Sequence, residues 1–176
     1  MTTHSFINIA AELPRENEQE VTEKIDALGN PLKDPLAGIV KDINRIHFFS
    51  MTVVPGDEKT PPFLVFELSV DGDAESLLDM LADRGKEYFE PVFKLTKDYG
   101  SSSLAAFWKA HIVKTGVGYM DVPGLAHTGT PGMSVERIHK EAALSATTTD
   151  IYNKTDRNGT ALDTLEKIRA DLRKNP

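Results

Sequence analysis

His47 stands between Ile46 and the pair Phe48-Phe49, at the head of an apolar stretch. An imidazole titrates near neutrality, so in that place it could ligate a haem iron or shuttle a proton. The competing reading is a half-buried strand residue bonded to a neighbour. The sequence alone does not fix which sheet face His47 occupies. A second candidate is the run His127 to Ser134. Gly129, Thr130 and Gly132 lead into Ser134, which opens a helical pattern. Glycines ahead of a helix start can present free amides to an anion or a small metabolite. The competing reading there is a plain loop before a capped helix. The run has no Walker lysine, so it does not fit a nucleotide phosphate loop.

Other patterns carry less chemistry. Gly116-Val117-Gly118 lacks the third glycine and the following helix of a dinucleotide fingerprint. His111 lies near Trp108 and His139 beside Lys140, but no His-x-x-x-His or His-Glu-x-x-His spacing occurs, so no metal site is expected from spacing. The carboxylate pairs Asp71 with Asp73, Asp79 with Asp83 and Glu87 with Glu90 could do acid–base work only if desolvated. Acid-rich helix surfaces explain them more simply. No Gly-x-Ser-x-Gly elbow is present. Cysteine is absent, which excludes disulfides, thiolate zinc sites, iron–sulfur clusters and cysteine nucleophiles.

These residues must be positioned by regular elements. Ser5 to Leu13 reads as a strand closed by Pro14, and Glu16 to Leu28 as an amphipathic helix with Val21, Ile25 and Leu28 on one face. Pro31, Pro35 and Gly38 oppose a long helix over 30–44, leaving an irregular turn or a short helix there. Ile46–Val54 and Phe63–Val70 read as strands joined by a loop of about eight residues, an antiparallel hairpin. Leu64, Phe66, Leu68 and Val70 alternate, so that side should face the core. Asp73 is placed to cap a helix carrying Leu77, Leu78 and Leu81, with Pro91 kinking it or starting another. Leu104 to Trp108 is apolar, and His111 to Met120 reads as a last strand. Ser134 caps a helix that the Thr147-Thr148-Thr149 run weakens at its end. Thr160 to Leu172 is a final helix with a capping-box pattern.

The expected class is therefore α+β, a ferredoxin-like βαββαβ antiparallel sheet with two helices on one face, plus two C-terminal helices. The expected division is a domain over 1–120 and a loop and helical extension over 121–176 packed on it.

This order, with Ile46-His47-Phe48-Phe49 leading one strand and Leu64-Val65-Phe66-Glu67-Leu68-Ser69-Val70-Asp71-Gly72 ending the next, resembles the dimeric α/β-barrel group. That group includes dye-decolourising peroxidases, chlorite dismutases and small monooxygenases. Leu125 to Leu144, with Gly129-Thr130-Pro131-Gly132-Met133-Ser134-Val135 before a helix, is similar to N-terminal regions of long bacterial proteins, some tied to oxidative haem chemistry. The resemblance spans residues 5–145. Haem as a cofactor is what it implies, yet Asp71-Gly72 matches only the tail of the distal Asp motif. No histidine falls on a segment matching the proximal ligand, so no haem-binding residue is carried over.

The 176 residues carry 20 basic and 27 acidic side chains, a formal net charge of −7. Residues 1–40 hold three basic and seven acidic groups, and residues 57–90 hold three and ten. Both stretches would repel a phosphate backbone, so nucleic acid is not an expected partner. No apolar run approaches the roughly 20 residues of a membrane span. The N-terminus has no signal-peptide pattern, and a cytoplasmic location is expected. The functional expectation is an auxiliary or self-association module of a bacterial redox system, with no catalytic set of its own. It would meet a second copy or a partner domain through the sheet face. The alternatives are a small haem-dependent peroxidase- or monooxygenase-like oxidoreductase and an anion or small-metabolite binding domain.

Overall fold

A computed structural model describes residues 4–29, 36–113 and 133–154, with Asp163, Leu165, Glu166, Arg169 and Ala170 beyond them. The chain divides into two compact units, Met1–Gly132 and Met133–Pro176. The first unit holds strand β1 (His4–Glu12), a 3-10 turn (Arg15–Asn17), helices α1 (Glu18–Leu28) and α2 (Ala37–Ile43), strands β2 (Ile46–Val54) and β3 (Phe63–Asp71), and helices α3 (Ala74–Arg84), α4 (Lys86–Phe93) and α5 (Leu104–Ala110). The second holds α6 (Val135–Lys154).

The described sheet has three strands in the order β1-β3-β2, both outer strands antiparallel to β3. Strands β1 and β2 are therefore parallel to each other, with α1 and α2 in the crossover between them. Period-two alternation decides the faces. Ile7, Ile9, Ala11, Leu64, Phe66, Leu68 and Val70 are buried on one face, and the helices cover it. Val21 of α1, Leu77, Leu78 and Leu81 of α3, Phe89 and Phe93 of α4, and Phe107 and Trp108 of α5 complete that core. Trp108 is fully buried, with its ring 5.2 Å from Phe66, 5.5 Å from Phe89 and 5.4 Å from Phe93, centroid to centroid. Rings at such spacings add about 0.5–1.5 kcal/mol per pair beyond their buried area.

Several expectations change. Four strands were expected; among the described residues the fourth is a single antiparallel bridge, Ile9 to Ile112. Ala10 N–H donates to the His111 carbonyl at 3.2 Å and Val113 N–H to the Asn8 carbonyl at 2.7 Å, so pairing starts along the free edge of β1. The rest of the expected strand, 114–120, lies outside the described residues. The helix after Asp73 breaks at Gly85, not at Pro91, which sits inside α4. A Cβ on Gly85 would lie 2.5 Å from a Phe89 ring carbon and 2.9 Å from the Leu81 carbonyl oxygen, so only glycine fits at this junction. Leu104–Ala110 is a helix, α5, capped by Ser103, whose hydroxyl accepts from Ala106 N–H at 3.3 Å. The threonine run does not end α6, which continues to Lys154; the Thr147 and Thr148 hydroxyls bond back to the carbonyls four residues earlier, at 2.9 and 2.8 Å. The expected helix over 160–172 lies largely outside the described residues. The short helix expected within 30–44 is α2, ended by Asn44 in the left-handed region at φ 49°.

Candidate functional site

The face of the sheet opposite the core ends in a polar cluster. His4 is the first residue of β1 and Asp71 the last of β3, and the two are direct cross-strand partners. Their side chains share the outer face because each is offset by an odd number of residues from its strand's buried set. His47 reaches the same point through a break in register. Ile46 pairs with Val70 and Phe48 with Ser69, so His47 is the extra residue of a β-bulge. A bulge re-aims a side chain, and here it turns the His47 imidazole onto the end of β3. Nε2 of His47 is 2.9 Å from Oδ1 of Asp71, and Nε2 of His4 is 3.3 Å from the same oxygen. The two imidazole centroids are 4.7 Å apart. Side-chain exposure is 9% for His4, 15% for His47 and 9% for Asp71.

The backbone behind Asp71 is held from three sides. Gly72 lies at φ 77°, where an L side chain is strained, and this lets the chain turn from β3 into α3. Arg45 accepts from Asp71 N–H through its carbonyl at 2.8 Å. Its guanidinium donates to the carbonyls of Asp71 at 2.8 Å and Asp73 at 2.9 Å. Ser5 Oγ donates to the Gly72 carbonyl at 2.8 Å. Asp73 caps α3 by accepting Ser76 N–H at 2.7 Å, as the sequence predicts. That bond, helped by the Ser76 hydroxyl and by Arg45, holds the Asp73 carboxyl below its ordinary value.

Next along the same face comes an apolar rung. Phe6 and Phe48 flank Ser69, each paired to it, and they are 42% and 58% exposed. Val54 at the far end of β2 is 46% exposed. Between them Ser50 Oγ donates to Glu67 Oε2 at 3.0 Å. So one face presents phenyl rings, with two imidazoles and a carboxylate at its end.

The sequence candidates fare differently. His47 is placed, on the outer face, half-buried and bonded to Asp71. His127, Gly129, Thr130 and Gly132 lie outside the described residues, as do Gly116 and Gly118. Ser134 caps α6, its hydroxyl accepting from Arg137 N–H at 3.2 Å. His111 stacks on Phe107 at 4.0 Å, with Nδ1 2.9 Å from that residue's carbonyl oxygen. His139 is exposed on α6. Asp79 pairs with Lys109 at 2.7 Å on the surface. Sequence reasoning named His47 and, separately, Asp71, but it missed His4 and the convergence of all three. The only signal for it was the alternation that puts His4 and Asp71 on one face once the register is known. The chain matches no protein family, no curated protein and no solved structure to which it was compared.

Proposed function

We propose that the chain is a self-associating α+β module that meets a second copy through the open face of its sheet. The carrying observation is the exposed rung of Phe6 and Phe48 on the face opposite the helices. In this reading His111–Met120 extends the bridge at Ile112 into a fourth strand beside β1. That completes the ferredoxin-like order and keeps the likeness to the dimeric α/β-barrel group, whose sheets meet face to face.

A face-to-face contact of ordinary size calls for the fourth strand. Strands about 4.8 Å apart and nine residues at about 3.4 Å each give a three-stranded face of roughly 440 Å². Two such faces total about 900 Å², short of the roughly 1,200 Å² of a standard interface, whereas four strands bring the total close to that value. Burying the exposed part of Phe6 and Phe48, each about 80–120 Å², is worth about 2–3 kcal/mol per ring. Four rings across a two-fold axis then give about 8–12 kcal/mol against an association cost of about 4–15 kcal/mol. At the favourable end of both ranges the surplus is about 8 kcal/mol, a dissociation constant of about 1 μM at best, so the dimer is a weak one.

Sedimentation equilibrium over about 1–200 μM tests this, bracketing that affinity. The native chain should pass from monomer to dimer. The double variant Phe6→Asp with Phe48→Asp should stay monomeric with an unchanged circular dichroism spectrum. A native chain that remains monomeric throughout, or a variant that dimerises equally well, overturns the proposal.

A further inference from the structure

The geometry points to a site for a divalent first-row transition-metal ion, ligated by Nε2 of His4, Nε2 of His47 and Oδ1 of Asp71. Two imidazoles and one carboxylate are a borderline-to-hard donor set. It suits zinc, iron(II) or cobalt(II) better than magnesium or calcium, which prefer oxygen donors. The distances are those of neighbouring ligands on one ion. Bonds of about 2.0–2.1 Å hold adjacent donors about 2.9 Å apart at a right angle and about 3.3 Å apart at the tetrahedral angle. The two Nε2–Oδ1 separations are 2.9 and 3.3 Å. One donor atom from each residue lies within 4.8 Å of the others, so the two imidazoles need only a small approach to share one ion.

The surroundings favour an ion over a porphyrin. The His47 nitrogen that would face a haem iron is turned onto a carboxylate oxygen. A small ion entering there would exchange a shared hydrogen-bond acceptor for a shared cation. The scaffold is rigid where the ligands need it. His4 and Asp71 are cross-strand partners, His47 is aimed by a bulge, and the Asp71 backbone is held by Arg45 and Ser5. Support of this kind behind the ligands is what fixes metal affinity. The three side chains are mostly buried but not sealed, so solvent reaches the cluster. All three ligands come from one chain, so the site does not depend on self-association.

The competing description is a carboxylate that only accepts hydrogen bonds from two imidazoles. Titration of the full, untagged chain, first stripped with chelator, separates the two. Cobalt(II) should give a saturable visible absorption band with one ion per chain, and zinc should displace it. His47→Gln and Asp71→Asn should each weaken binding by about tenfold to a hundredfold. His139→Gln, on the exposed face of α6, should change nothing. Should either site variant fail to fold, paramagnetic cobalt shifts in the native chain decide, and they should centre on the His4 and His47 ring signals. No saturable one-to-one band, an unchanged affinity in folded H47Q and D71N, or shifts centred on His111 or His139 overturns the site.

Discussion

Gly72→Ala perturbs the turn that carries Asp71, and its cost can be assembled from two local terms. The backbone sits at φ 77°, where an L residue costs about 1 kcal/mol or somewhat more. A new Cβ would also lie 3.0 Å from Nη2 of Arg45. A guanidinium can swing away, but doing so gives up its bonds to the carbonyls of Asp71 and Asp73. These lie near the surface, so about 0.5–1 kcal/mol each is a fair loss. Alanine returns about 0.5 kcal/mol by restricting the unfolded chain. The net expectation is a loss of about 2 kcal/mol, or a melting temperature lower by about 6–12 °C for a domain of this size. Urea unfolding followed by circular dichroism measures it. A double-mutant cycle sharpens the test, because Arg45→Ala should cost clearly less in the Gly72→Ala background than in the native one. A Gly72→Ala variant within about 0.5 kcal/mol of native, or an Arg45→Ala cost equal in both backgrounds, refutes the account of the turn.

Two further expectations concern the helical layer. Gly85→Ala should destabilise by about 1–3 kcal/mol, opposite in sign to the usual gain from alanine at a relaxed glycine, because the added carbon meets the Phe89 ring and the Leu81 carbonyl; equal or greater stability in thermal unfolding would contradict that packing. Tyr99 is buried and donates to Glu90 Oε1 at 3.1 Å, and burial followed by that bond raises its phenol to about 12. The folded value lies above the unfolded one, so this contribution is complete below about pH 10 and is lost as pH rises toward the folded value. Native stability should therefore fall more steeply than that of Tyr99→Phe between about pH 10 and 11.5, by less than the limiting 1.4 kcal/mol per pH unit, since Glu90 is partly solvated. Parallel curves for the two chains would show that the phenol is not held in its neutral form.

The local signals in the sequence were strong where one physical effect dominated. The alternation of Leu64, Phe66, Leu68 and Val70 named the buried face of β3, and Asp73 named the start of α3. They failed where distant atoms decide. Gly85 stands at the junction of α3 and α4, where any Cβ would meet a phenyl ring four residues on, which no propensity for glycine or proline encodes. The threonines of α6 sit inside the helix with their hydroxyls on carbonyls a turn back, although branching argues for an end there. The site is the extreme case. Residues 4, 47 and 71 have no motif spacing, and two of them meet only because β3 inserts between β1 and β2. The third meets them only because the β2 register slips by one.

That slip has a consequence for how the two proposed roles share one surface. Without the bulge, Ile46 would stand opposite Asp71 and His47 opposite Val70, which would put an imidazole toward the core and an isoleucine beside the carboxylate. With it, Ile46 stays buried opposite Val70 and Phe48 stays exposed beside Ser69. One inserted residue therefore preserves the hydrophobic alternation on both sides and adds an imidazole at the end of the open face. Deleting His47 is accordingly a different perturbation from replacing it. Replacement by glutamine leaves the register and the phenyl rung intact, and should touch only the cluster. Deletion must either move Ile46 outward or shift the strand, and should lower stability and self-association together. If the deletion variant proved as stable as the glutamine variant, the bulge would not be what sets the faces of β2.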